Sequence, residues 1–135
     1  MDYSFVAASL VACSGFFPEN NLSIPITDKN EGLSQEQFHQ VIDKVTSVYR
    51  PVVADYGGRL MINRKWESPT VNAGTLRLNN SWQINLYGGM ARHKDMTEDA
   101  FALVICHEIG HHIGGARKII ITARRRWAST EGQSD

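Results

Sequence analysis

Thr97-Glu98-Asp99-Ala100-Phe101-Ala102-Leu103-Val104-Ile105-Cys106-His107-Glu108-Ile109-Gly110-His111-His112-Ile113-Gly114-Gly115 is the stretch from which the rest of this chain is best read. Thr97 is a natural helix N-cap, and Glu98 and Asp99 then fall at the positive end of the helix dipole. Phe101 to Cys106 is apolar on every side, so the helix is expected to lie buried in the domain centre. Gly114-Gly115 is expected to stop it. Into this apolar helix the sequence places His107, Glu108 and His111. Residues four apart on a helix differ by about 40° in angle and about 6 Å in rise, so both imidazoles leave one face. Two imidazoles so placed can grip one metal ion, and zinc suits them. Glu108 falls at the edge of that face, too far round to ligate but placed to act as a general base. Ionisable groups on a buried helix are costly unless paired or ligated, and a metal satisfies both histidines at once.

Upstream, Ser34 followed by Gln37 forms a capping-box pattern, with Glu36 also in the first turn. Phe38, Val41, Ile42, Val45, Val48 and Tyr49 recur at helical spacing and predict one apolar stripe. Pro51 is expected to kink or interrupt this helix, and Gly57-Gly58 to end whatever continues past it. Three strands are predicted at 59–66, 71–78 and 82–87, with Asn79-Asn80-Ser81 as a hairpin turn between the last two. Gly88-Gly89 closes the sheet segment. After the histidine helix, a polar loop at 116–127 leads to a last, short helix over 128–135. The order of helix, small twisted sheet, buried helix and short helix implies an α+β domain.

With 135 residues, the chain has the size of one modest domain. Acidic and basic residues balance to a formal net charge of zero. That argues against nucleic acid or a membrane surface as a general partner. Arg124-Arg125-Arg126 is the one basic cluster and reads as a solvated loop. Cys106, inside the apolar run, is expected to be a buried free thiol. No stretch is long enough to span a bilayer. Leu10-Val11-Ala12-Cys13 resembles a bacterial lipobox, which would make Cys13 a lipid anchor on an exported protein. The stretch is short and lacks a basic start, so an export remnant and an ordinary buried element both stay open. Residues 1–33 are therefore set apart as a lead-in from a domain at 34–135.

A catalytic zinc needs a third protein ligand and one open position. Continuation as His-x-x-Gly-x-x-His fails because position 117 is Arg. His112 points about 100° away from His111 and is expected to be a packing neighbour. Glu131 and Asp135, four apart on the last helix, share a face and can address one site. His107-Glu-x-x-His111, then Glu131, then Asp135, resembles the thermolysin-type gluzincin metallopeptidases, and of these the minimal-size members. The resemblance covers about residues 34–135 and implies a zincin-like fold. It implies zinc held by His107, His111 and Glu131, with Asp135 orienting His107. Peptide bonds would be hydrolysed through a zinc-bound water with Glu108 as general base. Val71-Asn72-Ala73 resembles the family's edge strand, which makes Asn72 and Ala73 substrate-binding residues for an extended peptide. The larger gluzincins use a further His or Tyr downstream of the third ligand, so the reading expects a domain cut short at its C-terminus. The alternative is a zinc-binding but catalytically silent domain serving interaction or assembly.

Overall fold

Capping is where the sequence dictates structure most directly. The structure, a computed structural model, describes residues 21–114, 128, 129 and 135. Helix α1 spans Gln35–Asp55. The Ser34 side chain accepts from the Gln37 N–H (3.2 Å), and the Gln37 side chain accepts from the Ser34 N–H (2.9 Å). Gln37 also donates to Glu98 at 2.8 Å, which ties the start of α1 to the start of the histidine helix.

The expected stripe on α1 is present, with one exception. Phe38, Val41, Ile42, Val45 and Val53 are buried, whereas Val48 is 63% exposed. At about 100° per residue, Val48 falls on the outer rim of the stripe, across from buried Thr46. Thr46 is satisfied there by donating to the Ile42 carbonyl at 2.7 Å. Pro51 does not interrupt the helix. It forfeits a single backbone bond near the helix end, and buried Val53 holds the turn beyond it. The chain leaves α1 through Gly57, whose φ of 76° needs glycine.

Strands β1 (Arg59–Lys65), β2 (Ala73–Leu78) and β3 (Ser81–Tyr87) form one mixed sheet. The order is β1-β3-β2, with β1 parallel and β2 antiparallel to β3. The predicted hairpin is present as a two-residue turn, Leu78 pairing with Ser81 and Asn79 taking a φ of 53°. Asparagine tolerates that left-handed conformation better than most residues. Leu60 of β1, Trp82, Ile84 and Leu86 of β3, and Ala73 and Thr75 of β2 are buried on one face. Helices α1 and α3 pack over that face, so the domain is α+β.

Gly88-Gly89 does more than close the sheet: it opens the short helix α2, Gly88–Ala91. Both glycines are required by close approach. A Cβ on Gly88 would sit 1.9 Å from the Trp66 carbonyl oxygen, and one on Gly89 would sit 1.9 Å from that of Pro69. Next to them Arg92 is 2% exposed. Its guanidinium donates to the carbonyls of Trp66 (2.7 Å), Ser68 (2.9 Å) and Ile24 (3.0 Å). Residues 22–24 run beside 69–71, with an antiparallel bridge from Ser23 to Thr70.

Helix α3 spans Glu98–Ile113, capped by Thr97 as predicted and ended at Gly114. It is not buried all round. Phe101, Val104, Ile105 and Ile109 are fully in the core, Ala102 and Cys106 are half-buried, and Leu103 is 66% exposed. The Phe38 ring lies 5.3 Å from Phe101 and 5.3 Å from Trp66, forming the aromatic centre of the α1–α3 contact. Cys106 is a free thiol. Burial, and then the adjacent Cys106, push the Tyr49 phenol above its usual range. Among the described residues no helix is long and apolar enough to cross a membrane. Ala128 and Ser129 do not begin a helix as expected: Ala128 is a bend and Ser129 a bridge residue. Glu131, Cys13 and the Arg124–Arg126 cluster lie outside the described residues.

Candidate metal centre

The core-facing side of α3 changes character over its last two turns. Ile105 and Ile109 continue the apolar packing, and His107, Glu108, His111 and His112 sit among them with at most 5% exposure. The i, i+4 spacing brings the His107 and His111 rings to 4.8 Å between centroids, at 86° to each other. One ligand atom from each of His107, Glu108 and His111 lies within 4.8 Å of the others. This buried group could hold a metal ion. Helical spacing predicts a Glu108 too far round to ligate; its carboxylate in fact falls in the same cluster as both rings. It is therefore within reach of the site as ligand or as base.

The hydrogen bonds on the far side of each ring test whether the donors suit a metal. His107 Nδ1 lies 2.7 Å from Asp135 Oδ1, and His111 Nδ1 lies 2.8 Å from the Ser129 carbonyl oxygen. A carbonyl can only accept, so the neutral His111 ring carries its proton on Nδ1 and its lone pair on Nε2. The carboxylate imposes the same tautomer on His107. Two imidazoles held as Nδ1–H tautomers, with a carboxylate beside them, are the donor set that zinc and similar ions take. Asp135 and His107 thus meet, as the resemblance implies. The Ser129 contact was not foreseen, because it comes from backbone on a segment expected to be helical. Its N–H also donates to the His111 carbonyl at 2.8 Å.

Asp135→Asn is expected to weaken metal affinity by about tenfold, the low end for such an outer partner, because the Asp135 side chain is 64% exposed. Titration with Co2+ or Zn2+ checks it; unchanged affinity would mean the contact contributes nothing to ligand orientation.

His112 is a packing neighbour, as expected, but a highly constrained one. Its ring stacks on Trp82 at 5.2 Å and 8°. Thr75 Oγ1 donates to the Gln83 carbonyl at 3.0 Å and so accepts from His112 Nε2. Arg77 donates from Nε to His112 Nδ1 (3.4 Å) and from Nη2 to the His112 carbonyl (3.0 Å). The Arg77 guanidinium also lies 4.1 Å over the Trp82 ring, and burial lowers its pKa. Adjacent histidines on one helix are thereby held in opposite tautomers, His111 for the cluster and His112 for the sheet. Thr75 and Arg77, two apart on β2, share its helix-facing side, a period-two signal that the sequence does contain. Thr75→Val removes the hydroxyl and leaves a buried donor on His112. It is expected to cost about 1–3 kcal/mol in chemical unfolding, and no loss would show that the bond is not formed.

Ala73 opens β2, which lies at the edge of the sheet, and its side chain is buried. The Asn72 carboxamide oxygen accepts from the Ala73 N–H at 2.8 Å. Thr75 and Arg77 bond to His112 of α3, so β2 is the strand that reaches the histidine helix by hydrogen bonds. The chain matches no protein-family model, no curated protein and no solved structure.

Proposed function

We propose that the chain is a zinc-dependent metallopeptidase of the gluzincin type, with a zincin-like catalytic domain. The observation that carries the reading is the pair of Nδ1 contacts, which leave the lone pair on Nε2 in both of the i, i+4 histidines that group with Glu108 in one buried cluster. His107 and His111 would hold the metal, with Glu131, outside the described residues, as the third protein ligand. Bound zinc would supply Lewis-acid polarisation of the scissile carbonyl and acidify an attacking water.

The chain's own residues do the rest. Glu108 takes a proton from the water as the water oxygen bonds to the carbonyl carbon, then returns it to the departing amine nitrogen as the C–N bond breaks. Asp135 and the Ser129 carbonyl keep the Nδ1 protons in place, so neither ring turns or changes tautomer. The substrate would be an extended peptide, its main chain pairing along the edge of the sheet at Asn72 and Ala73.

Zinc content by elemental analysis, followed by a peptide-cleavage assay on the zinc-loaded chain, tests the proposal. About one zinc per chain and cleavage abolished by a chelator are expected. Zinc without cleavage would favour a silent zinc-binding domain, and no zinc uptake would sink both readings.

A further inference from the structure

We propose that Gly114 is a positioning residue for His111: by lacking a side chain it lets the segment at Ser129 close against the end of α3. The inference rests on the reading that His111 is a metal ligand.

The backbone at Gly114 has φ −55° and ψ 148°. Any L-residue adopts that conformation, so glycine is not there for backbone freedom, as it is at Gly57. Room is what Gly114 provides. A Cβ at 114 would lie 2.4 Å from Ser129 Oγ, 2.7 Å from Ser129 Cβ and 2.7 Å from the Gly110 carbonyl oxygen. Non-bonded carbons rest about 3.5–4.0 Å apart, so a methyl group there has to drive the Ser129 segment outward by on the order of 1 Å.

That displacement falls on the contacts that matter. Three carbonyls of the last turn of α3 are capped in different ways. Gly110 accepts from the Gly114 N–H at 2.7 Å, His111 from the Ser129 N–H at 2.8 Å, and His112 from Arg77 at 3.0 Å. Ser129 serves one residue twice, capping the His111 carbonyl and accepting from its ring Nδ1. Moving Ser129 by about 1 Å carries both bonds beyond hydrogen-bonding range. The His111 ring then loses the acceptor that fixes its tautomer and its rotation. The ring is 0% exposed, so water does not readily replace that acceptor.

The test starts on the unmodified full chain without metal. Long-range 1H–15N correlation spectra of the histidine rings should place the His111 proton on Nδ1; a proton on Nε2 overturns the proposal and needs no variant to fold. Co2+ and Zn2+ titrations of variants follow. Gly114→Ala should weaken affinity by about 10–100-fold, the usual loss when a ligand's outer partner is removed. Gly114→Ala combined with Ser129→Gly removes the Ser129 atoms that the methyl group meets, leaves only its contact with the Gly110 carbonyl, and should recover part of the affinity. Unchanged affinity in Gly114→Ala, or a folded double variant no better than the single one, overturns the proposal. An unmodified chain that takes up no divalent ion overturns the metal reading and this inference with it. That result is distinct from failure of the clamp alone, in which the unmodified chain binds and the tautomer or the variants disagree.

Discussion

Glu108→Gln is expected to leave metal bound while lowering peptide hydrolysis by about 10²–10⁴-fold, the usual contribution of a general base. The substitution is nearly isosteric, which matters at a side chain with 0% exposure. Glutamine fills the same space, but its carboxamide cannot take a proton from water near neutral pH. Metal content and turnover have to be read together, because a Glu108 carboxylate oxygen lies within 4.8 Å of one ring nitrogen of each histidine, near enough for a role as ligand. Metal retained with turnover lost identifies a base. Metal lost along with turnover would make Glu108 a ligand instead, and full turnover would remove it from the chemistry altogether.

Arg92→Met should give the largest loss of stability, on the order of 3 kcal/mol. Arg92 is buried, and its guanidinium gathers the carbonyls of Ile24, Trp66 and Ser68 from two separate segments. Methionine is long and apolar enough to fill much of the space but donates to none of them. Each abandoned, partly buried carbonyl carries a desolvation cost. The Arg92 guanidinium also lies 4.8 Å over the Trp66 ring, a contact that methionine only partly replaces. For a domain of this length the midpoint of thermal unfolding should fall by about 10–15 °C. A fall of only a degree or two, measured by calorimetry, would mean that water reaches those carbonyls once the guanidinium is gone.

Much of the secondary structure was legible because its causes are local. The Ser34–Gln37 box, the Thr97 cap and the Asn79-Asn80 turn each involve residues within a few positions of one another. Misreadings arose where neighbours in space outweighed neighbours in sequence. Pro51 signals a break, yet burial of Val53 carries α1 past it. Phe101 to Cys106 reads as buried on all sides, yet Leu103 lies on the side that neither α1 nor the sheet covers. Gly88-Gly89 reads as a stop, whereas the crowding of the Trp66 and Pro69 carbonyls makes it the start of a helical turn.

By itself the sequence determined that this is a small α+β domain with His107 and His111 on one face of a helix, because helical periodicity depends only on spacing. Tertiary structure alone decided that β3 is central and parallel to β1, since strand order depends on which edges meet rather than on any residue pattern. It also decided how the two histidines are held. Asp135 could be anticipated from the resemblance of its position to the gluzincin pattern. The Ser129 carbonyl could not, because every residue carries one and only the path of the chain determines which reaches a ring nitrogen. The same holds for Gly114, where Ser129 Oγ stands 2.4 Å from where a side chain would begin.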